Sequence, residues 1–95
     1  MNNGFEQFKE NTLIEMNEFE KTKGIAILCE AITRGGYRLW INDSGKEIKL
    51  NSDDKNYETI KNFYQKGIAE LVEDGFLLER DKHQYILTSK GKNNK

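Results

Sequence analysis

Proline is absent from this chain of 95 residues, and cysteine and histidine occur once each. A single cysteine excludes an intramolecular disulfide, and because Cys29 lies within an apolar run we interpret it as a buried thiol. Such a thiol fits a reducing compartment. The longest apolar run is well below the roughly 18 residues that a membrane-spanning helix needs, and the first residues lack the pattern of an export signal. We therefore expect a cytoplasmic protein with no membrane partner.

The residue groupings of the common catalytic and metal sites are also missing. His83 is the only histidine and falls in a predicted polar turn, whereas Cys29 falls in the predicted core, so we expect no Cys–His nucleophile pair. Neither zinc-finger spacing nor a glycine-rich phosphate loop occurs. The acidic pairs at 53–54 and 73–74 lie at predicted helix ends, where the helix dipole and solvent account for them. We expect a non-catalytic protein without cofactor or metal.

A strong charge of one sign is lacking as well. The chain has 15 basic and 16 acidic residues, a formal net charge of −1, which removes the most general indication of a nucleic-acid-binding domain. Residues 1–24 carry three basic and five acidic side chains, so the rest of the chain is close to neutral. The length suits one domain with one modest core. The positions of individual charged residues, rather than the net charge, must therefore distinguish between the possible functions.

The N-terminal segment has a clear helical period. Residues 4–22 place their apolar side chains on one face, which predicts an amphipathic helix. Each phenylalanine of this stripe contributes roughly 1.5 to 3 kcal/mol when buried, so the stripe must pack on the body of the chain or on a second copy. The residues of the stripe are Phe5, Phe8, Leu13, Met16 and Phe19.

The next segments predict a buried helix and a β-hairpin. From Ile25 to Thr33 the chain is apolar nearly all round, which favours a short helix in the core, ended by the glycines of residues 34–36. Residues 37–41 and 46–50 alternate with the period of a strand on either side of a turn at Gly45.

The C-terminal half predicts a long helix followed by a second hairpin. Residues 51–54 carry a dense N-cap signal for a helix that runs to about Asp74 and is closed by Gly75. Residues 76–80 and 84–88 then flank a polar turn and predict paired strands.

The end of the chain resembles a winged helix-turn-helix domain. The resemblance rests on residues 68–77, on Tyr85-Ile86-Leu87-Thr88 and on Gly91, which match the end of the long helix and the two strands of the wing. It implies an α+β, winged-helix-like fold. In this fold an N-terminal amphipathic helix (1–23) precedes the domain (24–91), and a disordered tail (92–95) follows it. The domain consists of a buried helix, a β-hairpin, a long helix and a C-terminal β-hairpin wing. A hairpin stands where the usual winged helix has a short helix, an arrangement similar to small modules of bacterial signalling and phage-conflict proteins.

Two functional hypotheses follow. The first is a small nucleic-acid-binding regulator for double-stranded DNA, because amide and guanidinium groups suit base edges and lysines suit phosphates. The expected contacts are Lys61, Asn62, Gln65, Lys66, Arg80 and Lys82. The alternative is a protein-interaction module or a homodimer formed through residues 5–19, with Trp40, which alternation places opposite Tyr37, as a further interface residue. The acidic residues of the long helix count against the first hypothesis.

Overall fold

The computed structural model describes residues 4–92 as three helices and one five-stranded antiparallel sheet. The elements are α1 (Gly4–Lys23), β1 (Leu28–Thr33), β2 (Gly36–Ile41), β3 (Glu47–Asn51), α2 (Tyr57–Glu73), β4 (Leu77–Asp81), β5 (Gln84–Leu87) and α3 (Ser89–Lys92). The strand order is β3-β2-β1-β5-β4. The predicted α+β class is confirmed. The first residues of the predicted N-terminal helix (1–3) and the last of the predicted tail (93–95) lie outside the described residues.

The amphipathic helix is confirmed as α1, and its apolar stripe packs on the chain itself. Leu13 and Met16 are buried in the core. Phe8 and Phe19 pack against that core from its rim, and the ring of Phe5 contacts α2. Of the two alternatives for the stripe, packing within one chain is therefore the one observed.

The predicted buried helix at residues 25–33 is wrong, because Leu28–Thr33 forms strand β1. This strand is central in the sheet and pairs with β2 on one side and β5 on the other. Its first residues, Leu28, Cys29 and Glu30, are all buried although they alternate between the two faces. A central strand can bury both faces, so its apolar run has no period that distinguishes it from a short buried helix.

The glycines expected to end that helix instead form the turn from β1 to β2. Thr33 pairs with Gly36 across this turn. A Cβ at Gly36 would overlap the carbonyl oxygen of Leu50 on β3, so the close approach of the backbones requires glycine here.

Both predicted hairpins are confirmed. β2 pairs with β3, and Gly45 in the connecting loop has a positive φ of 80°. β4 pairs with β5, with a register shift between Glu79 and Asp81 that leaves Arg80 as the extra residue of a bulge. His83 completes the second turn with a φ of 63°.

The long helix is confirmed, but it begins at Tyr57 rather than within residues 51–54. The polar side chains before it form local turns: the Asn51 side chain accepts from the Asp53 N–H (2.8 Å) and the Asp54 side chain from the Asn56 N–H (2.8 Å). Such bonds compete with helix capping for the same side chains. The helix ends as predicted near Gly75, whose φ is 86°.

The core lies between the helices and one face of the sheet. Its buried residues come from α1, α2 and all strands except the edge strand β3, which adds half-buried Ile48 and Leu50. α3 packs against α1 and β5. A Cβ at Gly91 in this helix would overlap the carbonyl oxygen of Phe76. Lys92, the first residue of the predicted tail, is the last residue of α3.

Candidate nucleic-acid interface

The four helical residues predicted to contact nucleic acid form one sector of α2. Asn62 and Lys66 lie on the outer side of the helix, whereas Lys61 lies at the edge of the buried side that Ile68 and Leu71 occupy. Asn62 and Lys66 are exposed, and Lys61 and Gln65 are half-buried. The structure therefore places these four side chains side by side, with Asn62 and Lys66 accessible and the side chain of Lys61 only 16% exposed.

Both lysines of this group lie close to other side chains of the protein. The Lys61 Nζ lies 3.1 Å from a carboxylate oxygen of Glu58 and 5.0 Å from the centroid of the Tyr57 ring. The Lys66 Nζ lies 5.8 Å from the centroid of the Phe5 ring on α1. Because Lys66 is exposed, whereas the Lys61 side chain is 16% exposed and paired with Glu58, Lys66 is the lysine better placed to meet a phosphate.

The other two predicted contacts, Arg80 and Lys82, lie on the second hairpin. Arg80 occupies the bulge of β4, and Lys82 lies in the turn that follows. Both side chains are exposed. They form a second basic position on a different element from the α2 residues.

A buried carboxylate that the sequence analysis did not single out lies next to this turn. Glu30 on β1 is 8% exposed, and one of its oxygens accepts a hydrogen bond from the Tyr37 hydroxyl at 2.6 Å. Its other oxygen lies 3.5 Å from the Nδ1 of His83, and its N–H donates to the His83 carbonyl at 3.0 Å. Glu30 thus holds the turn of the second hairpin against the central strand.

This carboxylate affects the neighbouring tyrosines. Burial, and then the hydrogen bond and charge of Glu30, raise the pKa of Tyr37 well above its ordinary range. Burial and the charge of Glu30 raise the pKa of Tyr85 to about 12. The signal that could have revealed Glu30 is its position as the only charged residue in an otherwise apolar segment from Ile25 to Thr33.

Cys29 and His83 do not form a nucleophile pair. Cys29 and Glu30 are neighbours on β1 and point to opposite faces of the sheet, and the His83 ring lies on the side of Glu30. Burial raises the pKa of the Cys29 thiol, which disfavours the reactive thiolate. Among residues 4–92, no group of three or more His, Cys, Asp or Glu side chains is arranged to hold a metal ion.

Trp40, the predicted interface residue of β2, lies on the face of the sheet opposite Tyr37, as its alternation predicts. It is half-buried, and the guanidinium carbon of Arg38 lies 4.7 Å from the centroid of its ring. The Nε of Arg38 also donates to a carboxylate oxygen of Glu47 on β3. Three side chains of two neighbouring strands are therefore linked on this face.

Comparison with known proteins gave no further guide to these surfaces, since no family model, no curated protein and no solved structure matches the chain. Within residues 4–92, none of the helices has the length and apolar content needed to span a bilayer.

Proposed function

We propose that the protein is a non-catalytic nucleic-acid-binding module that contacts double-stranded DNA through the outer side of α2. The observation that carries this proposal is a stretch of α2 without acidic residues: residues 59–69 contain no Asp or Glu and include Lys61, Asn62, Gln65 and Lys66. Lysines suit phosphates, and the two amides suit base edges. The acidic residues of this helix lie toward its ends, and the nearest of them, Glu58, pairs with Lys61 at 3.1 Å.

The order of elements supports a winged-helix-like form of this module. α2 is followed by the sharp turn at Gly75 and by the β4–β5 hairpin, which takes the place of the wing. β5 pairs with β1, so the hairpin is joined to a strand that precedes the long helix. The β2–β3 hairpin replaces the short helix of the usual arrangement. In this proposal Arg80 and Lys82 of the wing add phosphate contacts, and a cytoplasmic location suits the buried thiol.

A protein-interaction module remains the alternative, but fewer observations support it. The apolar stripe of α1 is occupied by the core of its own chain, so dimerisation through residues 5–19 has no exposed stripe to use. Trp40 is the remaining residue that favours a protein partner.

The test is duplex binding by a charge-reversal variant, Lys61→Glu with Lys66→Glu. We expect the native protein to bind mixed-sequence duplex at low salt. The variant should lose roughly tenfold or more in affinity, and the slope of log affinity against log salt should fall by about 1.8, or about 0.9 per lost phosphate contact. Fluorescence anisotropy of a labelled duplex measures both quantities.

The matched control is Lys21→Glu with Lys23→Glu, the same change of charge on exposed residues at the end of α1. This control should bind duplex nearly as well as the native protein. Absence of duplex binding by the native protein at low salt, or an equal loss in both variants, would contradict the proposal.

A further inference from the structure

One face of the sheet carries no helix in residues 4–92. The register identifies its side chains, because paired residues of antiparallel strands point to the same side. Cys29 pairs with Trp40 and with Gln84, so this side is opposite the core residue Leu28. The bare face defined in this way includes Cys29, Ala31, Arg38, Trp40, Glu47, Lys49, Leu78, Asp81, Gln84 and Ile86.

The bare face combines an aromatic ring with a stacked cation. Trp40 lies near its middle, between the central strand β1 and the edge strand β3. The guanidinium of Arg38 lies over its ring at 4.7 Å, and Glu47 holds the guanidinium from the next strand. Aromatic rings and guanidinium planes are the surfaces on which unpaired bases stack.

Basic side chains flank this pair on both sides. Lys49 on β3 is exposed and lies directly across from Arg38. At the β4 edge of the sheet, the exposed Arg80 is the bulge residue between Glu79 and Asp81. The acidic residues here are Glu47, which is bonded to Arg38, and Asp81 at the end of β4. Lys49 therefore gives a basic excess on the β3 side of Trp40, whereas Arg80 and Asp81 balance each other at the β4 edge.

The rest of the bare face suits the other parts of a nucleotide chain. Gln84 adds an amide next to Cys29, and amides can bond to base edges. Leu78 is 55% exposed and pairs with half-buried Ile86, giving an apolar area beside the amide. A duplex cannot present its bases flat to a sheet, whereas a single strand can.

We propose that the bare face is a binding site for single-stranded nucleic acid, in which a base stacks on the Arg38–Trp40 pair and phosphates contact Lys49 and Arg80. This site is distinct from the outer side of α2, which lies on the other side of the sheet. The charge complementarity favours a nucleotide chain over a second copy of this protein, because a second copy would bring the same basic residues together.

Trp40 provides a direct measurement because it is the only tryptophan of the chain. Mixed-sequence single-stranded DNA and RNA oligonucleotides are titrated separately into the full chain at low salt, and the emission of Trp40 is followed. Stacking of a base should quench this emission with either or both probes. The duplex of the same sequence should leave it nearly unchanged.

Two variants separate the site from general electrostatics. Lys49→Glu with Arg80→Glu changes exposed side chains only and should weaken single-strand binding roughly tenfold. It should also lower the salt slope by about 1.4, or about 0.7 per phosphate contact. The control Lys21→Glu with Lys23→Glu should bind as the native protein does. Circular dichroism confirms that both variants are folded.

The outcomes distinguish this inference from the proposed function. The α2 variant Lys61→Glu with Lys66→Glu should keep the single-strand quenching, so a protein that fails to bind duplex can still support the bare-face site. No quenching by either single strand at low salt, or an equal loss in the α1 control, would overturn it. A native dimer whose Trp40 emission changes with protein concentration would also overturn it, because a second copy would then cover the face.

Discussion

At the residue scale, the buried Glu30 carboxylate acts on two tyrosines, the buried Tyr37 and the half-buried Tyr85. The Glu30 carboxylate is enclosed by the sheet and accepts the Tyr37 hydroxyl at 2.6 Å. Burial is the main reason that the pKa of each tyrosine is raised, and the nearby Glu30 carboxylate further opposes ionisation of the phenols. The group therefore links folding stability to alkaline pH.

The sign of this linkage follows from the raised pKa. A tyrosine that is neutral in the fold up to a pKa of about 12 (Tyr85) stabilises the fold fully below about pH 10, its unfolded value. That contribution is lost as the pH rises from about 10 through 12. We expect the free energy of unfolding, measured by urea titration, to fall over this window. Tyr85→Phe should make the fall shallower, with the remainder due to Tyr37.

The ultraviolet absorbance of tyrosinate provides an independent check. It should show Tyr85 ionising above the ordinary range while the protein is folded, and this transition should disappear in Tyr85→Phe. An unfolding free energy that falls equally steeply in the native protein and in Tyr85→Phe would refute the linkage.

The sequence predicted the conformation of single residues well where that conformation depends on the residue itself. Gly45 and Gly75 were expected at turns and have positive φ angles. Glu30 was missed because its partners, Tyr37 and His83, come from two other segments that only the folded sheet brings to it. A contact between distant segments leaves no period in the sequence.

At the scale of elements, α1 packs on α2 at Gly67. A Cβ built there would lie 2.6 Å from the Cε2 of Phe8, closer than two carbon atoms can approach. Gly67 therefore lets the phenylalanine ring lie on the helix backbone. The ring is further placed by Tyr64, whose centroid is 4.9 Å away. This contact sets the distance between the two helices.

We expect Gly67→Ala to destabilise the protein by about 1 kcal/mol in thermal or urea unfolding. Overpacking against Phe8 costs about 1 to 3 kcal/mol, and the better helix propensity of alanine offsets up to about 1 kcal/mol of this. The control is the same substitution in a Phe8→Leu background. There the ring is gone, so Gly67→Ala should become neutral or stabilising. The same loss in both backgrounds would contradict the steric argument.

The elements themselves were largely predictable, with one physical exception. α1, α2 and the β2–β3 hairpin show clean periods because each has one more buried and one more exposed side. β1 lies between β2 and β5 and buries successive residues on both faces, so its period is lost. The start of α2 was displaced because Asn51 and Asp54 use their side chains in local turns.

The pairing of the five strands is a property of the whole molecule that local patterns do not contain. β1 and β5 are joined although the β2–β3 hairpin, α2 and β4 separate them along the chain. The bare face proposed for single-stranded nucleic acid depends on this pairing, because the pairing decides which strand residues share that face. The α2 residues could be predicted from one helix alone, whereas the grouping of Lys49 with Trp40 and Arg80 could not.

The place of α1 in this molecule leads to the last prediction. Sequence patterns suggest that residues 1–23 form a separate helix and that the remaining domain folds without it. The structure instead places Leu13 (3% exposed) and Met16 (0% exposed) in the single core that α2 and the sheet share. A buried leucine or methionine typically contributes about 2 to 5 kcal/mol, and a small domain has a total stability of only about 5 to 15 kcal/mol.

Deletion of residues 1–23 should therefore unfold the chain rather than release an intact domain. Circular dichroism and thermal unfolding should show loss of the cooperative transition, and a synthetic peptide of residues 1–23 added in excess should restore part of it. The control, Ile14→Ser on the outer side of α1 (38% exposed), should unfold cooperatively with little change in midpoint. A truncated chain that still unfolds cooperatively would show that the sheet and α2 form a sufficient core without the first helix.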